Sequence, residues 1–359
     1  PAVLAREMCA RRPPRIALHF GRPLQLPGEG EPERLMRGVR RELYAIGTPR
    51  ERAPELSPAP EPPEPLIDPV PAADVRAGVE AMELLGSTLD GKQIRVGTLA
   101  AGAPLLREIG RLRECTFRAV GEGTGRRLDV DVYDAWYEHI VLWDAQAGRI
   151  AGAYRVARGA KVLARRGLPG LYTASLFDYA DDAVERIAQG MELGRSFVAQ
   201  EYWGSRSIDY LWQGIGAYLS RHPRVRYLFG PVSISAALPV EAREQIVAYY
   251  QRFYGSDEQR AQSRQPFAYR AAPPQFGAVD AATALRVLKN NLDALGATLP
   301  MLYKQYTELC EPGGARFLAF GVDPDFSDSV DGLIEVDLHQ LRPKKRERYL
   351  GTAATEAAG

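Results

Sequence analysis

The chain has 359 residues, a formal net charge of +1, 45% hydrophobic and 25% charged residues, the make-up of a globular protein with room for one large domain or two ordinary ones. So even a charge gives no global field for nucleic acid, and no apolar run approaches the ~18 residues that a membrane-spanning helix needs. The three cysteines, Cys9, Cys115 and Cys310, are too few and too scattered for a disulfide framework or a metal knuckle, which points to a reducing, cytoplasmic setting.

Taken in chain order, residues 14–24 (PRIALHFGRPL) read as a strand. Residues 31–46 read as an amphipathic helix, with Leu35, Val39 and Leu43 at helical spacing. Two such elements bury little alone, so they are expected to close an upstream domain over residues 1–50. Residues 51–72 follow as a linker, in which eight prolines from Pro54 to Pro71 favour an extended, semi-rigid spacer.

The main domain is expected over 73–340. It opens with a short helix (73–85), a strand (92–99) and a helix (103–119). A β-hairpin follows over 136–157, its apolar runs joined by an Ala/Gly turn. Then come a strand at 171–177, a helix at 183–189, a strand at 191–199, a helix at 206–221, a strand at 225–232 and a helix at 239–254. A helix at 279–296 and short strands at 316–322 and 332–338 close the domain. Interleaved strands and helices with one hairpin give an α/β (α+β) class with a mixed sheet flanked by helices. Residues 341–359 read as a basic, then flexible, tail.

The chemistry sits in a few groups of residues. Arg113 and Phe117 share one helix. Asp129, Asp131 and Asp134 form a D-x-D-x-x-D run. Arg155 lies on the hairpin. Glu192 and Arg195 lie three apart on a strand, and odd spacing puts them on opposite faces of a regular strand. Both can face one cleft only if a bulge or bend lies between them. That strand feeds a helix through a polar loop, an arrangement suited to an anion. Asp323, Asp325 and Asp328 repeat the acidic pattern and read as a turn beside Pro324. Gly214 and Gly216 lie inside a helix and read as close packing points. His139 and Asp144 match H-x-x-x-x-D by chance, inside an apolar strand. No EF-hand spacing is present in the acidic run, so no metal is expected.

The spacing R-x-x-x-F, D-x-D-x-x-D, a hairpin Arg and E-x-x-R resembles the acyl-homoserine-lactone and N-acyl amino acid synthases of the GNAT superfamily. The stretches ELGRSFVAQEY, LWQGIGAYLSRHP and YLFGPVSIS, together with 299–338, resemble the hemolysin-like acyltransferases, which include ornithine-lipid-forming N-acyltransferases. Residues 14–46 resemble the end of a PlsC-type acyltransferase domain.

The resemblance implies a GNAT-like fold and transfer of a fatty, 3-hydroxy acyl chain to the amine of an amino acid such as ornithine. The donor is acyl carrier protein, with its phosphopantetheine thioester as co-substrate and no bound cofactor. Glu192 is the expected base or ammonium anchor, with Arg195 beside it as the second catalytic residue. Arg113, Phe117, Asp129, Asp131, Asp134 and Arg155 position substrate. Backbone amides at Phe197, Val198 and Ala199 are expected to meet the thioester oxyanion. Gly204, Ser205, Arg206 and Ser207 are expected to hold the phosphate; their loop lacks the full glycine motif that wraps a pyrophosphate, so a single phosphate fits better. Arg206, Arg221, Arg224 and Arg226 offer a basic face to the acidic carrier, and the run 342–348 offers one to an anionic membrane. The same residues also fit a signal synthase or a non-catalytic module of a larger acyltransferase.

Overall fold

The computed structural model describes residues 62–270 and 276–351, preceded by two helical positions, Met36 and Val39. The strand at 14–24, the rest of the helix at 31–46 and the first part of the spacer lie outside the described residues, as does the PlsC-type remnant built from them. The end of the spacer is no free linker. Glu64 N–H donates to the Gly125 carbonyl (2.8 Å) and Ile67 N–H to that of Arg127 (3.2 Å), so this stretch runs along the body of the domain.

Ala72–Glu80 form α1, Glu83–Ser87 β1, Gln93–Thr98 β2 and Pro104–Ala119 α2. The hairpin is β3 (Glu138–Asp144) and β4 (Arg149–Arg158). Then come α3 (Gly159–Arg166), α4 (Thr173–Leu176), β5 (Phe177–Tyr179), α5 (Asp181–Ala188) and β6 (Gly190–Val198). After β6 lie α6 (Ser207–Ser220), β7 (Tyr227–Ile234), α7 (Val240–Tyr254) and β8 (Ala261–Ser263). The chain closes with α8 (Ala281–Ala294), α9 (Met301–Thr307), β9 (Ala315–Asp323), β10 (Ser329–Asp337) and α10 (Pro343–Leu350).

Eight strands make one mixed sheet in the order β1-β2-β3-β4-β6-β7-β10-β9. Every neighbouring pair is antiparallel except β6–β7, which is parallel and matched over only three residues, Gly190–Glu192 against Tyr227–Phe229. The expected mixed sheet flanked by helices is what forms. Apolar residues cover both faces. One cluster joins Met191 and Leu193 of β6 to α6, α7 and α8; another, on the opposite face, joins Phe197 to Leu105, Leu106, Ile109 and Phe117 of α2. No helix of the described residues is long and apolar enough to cross a membrane.

Three expectations need correction. The helix read at 73–85 stops at Glu80, and Glu83–Ser87 instead pairs with β2 as an edge strand that bulges at Leu85. The strand read at 171–177 is a helical turn leading into the three-residue β5, because the backbone N–H groups of Tyr172 and Thr173 donate to side chains rather than to a neighbouring strand. The basic run at the tail is α10, docked on α6. A Cβ on Gly216 would meet the Tyr349 carbonyl at 1.7 Å, and Arg348 pairs with Asp209 at 2.6 Å. The domain therefore reaches Leu350 rather than residue 340. Gly214 lies against Ile94 and Ile140, whose methyls a Cβ would meet at 2.8 and 2.9 Å, so both helical glycines are close packing points, as read.

Candidate active site

β6 carries the decisive local feature. Arg155 of β4 faces Gly194, while Ala153 faces Phe197. One residue on β4, Tyr154, therefore lies opposite two on β6, Arg195 and Ser196, which is a β-bulge. Arg195 sits in it with a positive φ of 47°, a conformation that costs an L-residue about a kcal/mol or more and needs support from its surroundings. The bulge flips the phase of the strand. Before it, Met191 and Leu193 point toward α6; after it, Phe197 points toward α2. Glu192 and Arg195 thus come to the same face, as their odd spacing required.

Around Arg195 lies a box of buried charge. Arg113 and Asp134 pair at 2.9 Å with almost no exposure. Arg155 reaches Asp131 at 2.6 Å and Asp134 at 3.3 Å. Arg195 lies 3.2 Å from Asp129, an ion pair whose angle does not make a hydrogen bond. Three guanidinium groups meet three carboxylates, and tyrosine rings line the walls. Arg155 lies over Tyr137 and Tyr172 at 5.1 and 5.3 Å, and Arg195 over Tyr172 and Phe326, both at 4.7 Å, where desolvated cations gain from aromatic faces.

The acidic spacing has a local cause. Asp131 accepts from Tyr133 N–H, and Asp134 accepts from Asp131 N–H, forming a capping box on a single turn at Val132–Ala135. Phe117 stands one layer back, edge-on to Phe326 at 5.1 Å. His139 is buried against Arg113. Its burial and the two cations Arg113 and Arg155 hold it down at about 3, against the pull of Asp134, so it stays neutral. Asp144, which accepts from Tyr202 instead, is well away from it; H-x-x-x-x-D is no site here.

Glu192 requires a correction. It is 1% exposed, and both its oxygens are engaged: one accepts from Thr173 N–H at 2.7 Å, the other from the Tyr137 hydroxyl. Tyr137 in turn accepts from Tyr172 N–H at 2.9 Å. Burial pushes the Glu192 carboxyl up. The carboxylate thus clamps the 172–173 turn onto β6 and holds the Tyr172 ring under Arg195. It is a positioning group; its place in the interior does not suit the expected base or ammonium anchor.

The three expected oxyanion amides also separate. Ala199 N–H already donates to the Ala151 carbonyl at 3.0 Å. Antiparallel alternation directs Phe197 N–H to β4 as well and turns that of Val198 the other way, toward the side where β7 has parted from β6. Val198 is the one that remains. Gly204, Ser205 and Arg206 lie exposed at the start of α6. Ser205 accepts from Ser207 N–H at 3.2 Å, which ties the loop to the first turn. Of the expected basic face, Arg221 pairs with the exposed Glu83, a weak contact, and Arg226 with the buried Asp337.

Sequence reasoning missed the partners of Glu192, namely Tyr137, Tyr172 and Thr173. It also missed two further carboxylates, Asp331 and Glu122, and read Asp323 only as part of a turn. Asp323 caps its own turn through Asp325 N–H and takes the Tyr172 hydroxyl at 2.9 Å. Asp331 lies buried in β10, and Glu122 lies just past α2. The expected turn at Pro324 is there, and its first aspartate also faces the site.

Residues 112–213 match the family model of the acetyltransferase (GNAT) domain. The chain carries a GNAT acyltransferase domain. That stretch of the GNAT domain takes in the charged box, the bulge and the loop before α6. The chain is 28% identical over 306 residues to a glycine Nα-acyltransferase of Bacteroides thetaiotaomicron, covering 80% of this chain and 90% of that one. It is 33% identical over 134 residues to an L-ornithine Nα-acyltransferase of Agrobacterium fabrum, covering 36% of this chain and 44% of that one. Among solved structures, a CoA-dependent acyl-homoserine lactone synthase overlaps 40% of this chain and 67% of its own at 16% identity, with a TM-score of 0.27; the architecture described above stands without it.

Proposed function

We propose that this GNAT acyltransferase moves a fatty acyl chain, 3-hydroxyacyl by resemblance, from the phosphopantetheine thioester of acyl carrier protein to the amine of a small amino acid, ornithine or glycine. The product is a one-chain aminolipid. The observation that carries the reading is the bulge at Arg195, where β6 leaves β7 after three paired residues and brings a guanidinium and the Val198 amide to the parting of the strands. The names of the relatives support the class of acceptor.

In this mechanism the neutral amine attacks the thioester carbonyl, and the Val198 N–H stabilises the oxyanion that forms. The C–S bond then breaks as the C=O re-forms, giving an amide. The ammonium proton passes to a carboxylate and the thiolate of the pantetheine arm leaves, to be protonated by solvent. No covalent enzyme intermediate is needed, and much of the rate gain comes from holding both substrates together. Arg195 fixes the acceptor carboxylate. The loop 204–207 receives the single phosphate of the pantetheine arm, Arg206 and Arg224 add positive charge for the acidic carrier, and α10 presents its lysines to the anionic inner face of the membrane.

The test is turnover of purified protein with acyl carrier protein and with CoA thioesters, against a panel of amino acids, with products identified by mass spectrometry. N-acyl amino acid formed preferentially from the carrier protein is expected. No amide with any amino acid would overturn the reading, and equal use of CoA would remove the carrier protein from it.

A further inference from the structure

The charged box is even, but the ground beside it is not. Glu122, Asp323 and Asp331 come together on the far side of Arg195, from three separate elements. Asp331 of β10 is matched with Ser233 of β7 and with Gly321 of β9. Asp323 is paired with Ser329, so it is the diagonal neighbour of Asp331 on the same face, about 7–8 Å away by sheet geometry. Glu122 comes over from the end of α2 toward Ser233 and Arg195. Among the described residues the only cation facing all three is Arg195, and it already faces Asp129 and Asp131.

Asp331 is the telling member. It is 5% exposed, yet among the described residues no group donates a hydrogen bond to its carboxylate. Buried carboxylates are paired or hydrogen-bonded in nearly every folded protein, since an unpaired one costs several kcal/mol. Asp331 instead faces two further carboxylates, Asp323 and Glu122. All three are pushed up, first by burial; Glu122 reaches about 7. Among the described residues no cation beyond the already engaged Arg195 faces this group. Glu122 is the half-buried member of the three and lies at the rim. The tip of the β9–β10 hairpin is tied down beside it, through Ser327 Oγ donating to the Gly123 carbonyl at 2.8 Å. Asp323 and Asp331 lie beyond the stretch that matches the family model.

We propose that Glu122, Asp323 and Asp331 form the acceptor subsite, which takes the ammonium groups of the amino acid while Arg195 takes its carboxylate, and that three carboxylates select a diamino acid such as ornithine over glycine. This rests on the acyl-transfer reading above. A glycine zwitterion brings one positive charge to three acidic groups; a diamino acid brings two, and a third acidic group remains to accept the proton that the attacking amine gives up.

The test compares L-ornithine and glycine as acceptors for wild-type protein, Asp331→Asn and Glu122→Gln, with carrier-protein thioester held saturating. Wild type is expected to favour ornithine by at least tenfold in kcat/KM. Each variant is expected to raise the KM for ornithine tenfold or more while leaving the KM for the thioester unchanged, so that the preference over glycine shrinks. Glu122→Gln, at the rim, serves if Asp331→Asn does not fold, as judged by circular dichroism. A wild-type preference for glycine, or variants whose ornithine KM and preference are unchanged, would overturn the subsite and leave the acyl-transfer reading standing. A wild type that acylates no amino acid would overturn both.

Discussion

Two charged regions meet at Arg195 and are built on opposite rules. On one side three guanidinium groups face Asp129, Asp131 and Asp134 in matched numbers, roofed by tyrosines. On the other, Glu122, Asp323 and Asp331 share one cation that is already engaged. The matched side holds the fold at this point; the unmatched side is left for something that arrives from outside. Burial of charge is tolerated only with a partner, so the difference in pairing separates framework from binding ground more sharply than position in the sheet does.

The strongest way to break this contrast is to unbalance the matched side. Arg113→Ala leaves Asp134 without its closest partner in the interior, so a loss of about 3–5 kcal/mol is expected, read as a fall in the denaturant midpoint. A loss below 1 kcal/mol would mean that the box is not framework. Next comes the residue that belongs to both sides. Arg195→Lys keeps the charge but loses the planar fork and lacks the tyrosine-stacked geometry; acyl transfer should fall by roughly 100-fold, about 2.7 kcal/mol, in steady-state turnover with little change in melting temperature.

Glu192→Gln should act on stability first. Its amide oxygen can still accept from Thr173 N–H, but its NH2 group then faces the Tyr137 hydroxyl, which loses the acceptor for its own proton, so about 1–3 kcal/mol is expected. Turnover corrected for folded fraction should stay within a few-fold; a loss of 100-fold in fully folded protein would return Glu192 to the chemistry.

The smallest effects are in pH dependence, and the two sides should have opposite signs. His139 is held at about 3 in the folded chain, below its ordinary value, so its contribution is complete above pH 6.5 and is lost as pH falls from there toward 3. Glu122 is held near 7, above its ordinary 4.5, so its contribution is complete below pH 4.5 and is lost as pH rises toward 7. In His139→Gln the acid limb of a stability–pH curve should flatten; in Glu122→Gln the neutral limb should. Unchanged limbs would show that these groups do not differ between folded and unfolded chains.

Much of the matched side could be read from the residues. The D-x-D-x-x-D spacing carried a capping box, and the three-residue gap between Glu192 and Arg195 demanded the bulge that forms. The glycine pair inside α6 read correctly as packing. The unmatched side was hidden, because one member lies at a helix end and the other two on a hairpin far along the chain, where strand register sets Asp323 and Asp331 on one face. The segment 171–177 misled for another reason. Its Leu, Tyr and Phe suit a strand, but Thr173 N–H is claimed by Glu192, and no local pattern reveals a tertiary acceptor. Glu192 itself looked reactive because a strand carboxylate beside an arginine does not declare how deeply it is sunk.

The supernumerary residue in β6 has a consequence for how this protein tolerates change in length. Remove Ser196 and the ordinary zigzag of the strand returns. Phe197 would keep its place opposite Ala153 and its seat beside α2, but the Arg195 guanidinium would exchange ceiling for floor, thrust into the greasy layer beneath α6. No point substitution reaches so far, and a shortened chain of this kind should come out of cells insoluble even though each remaining side chain is unaltered.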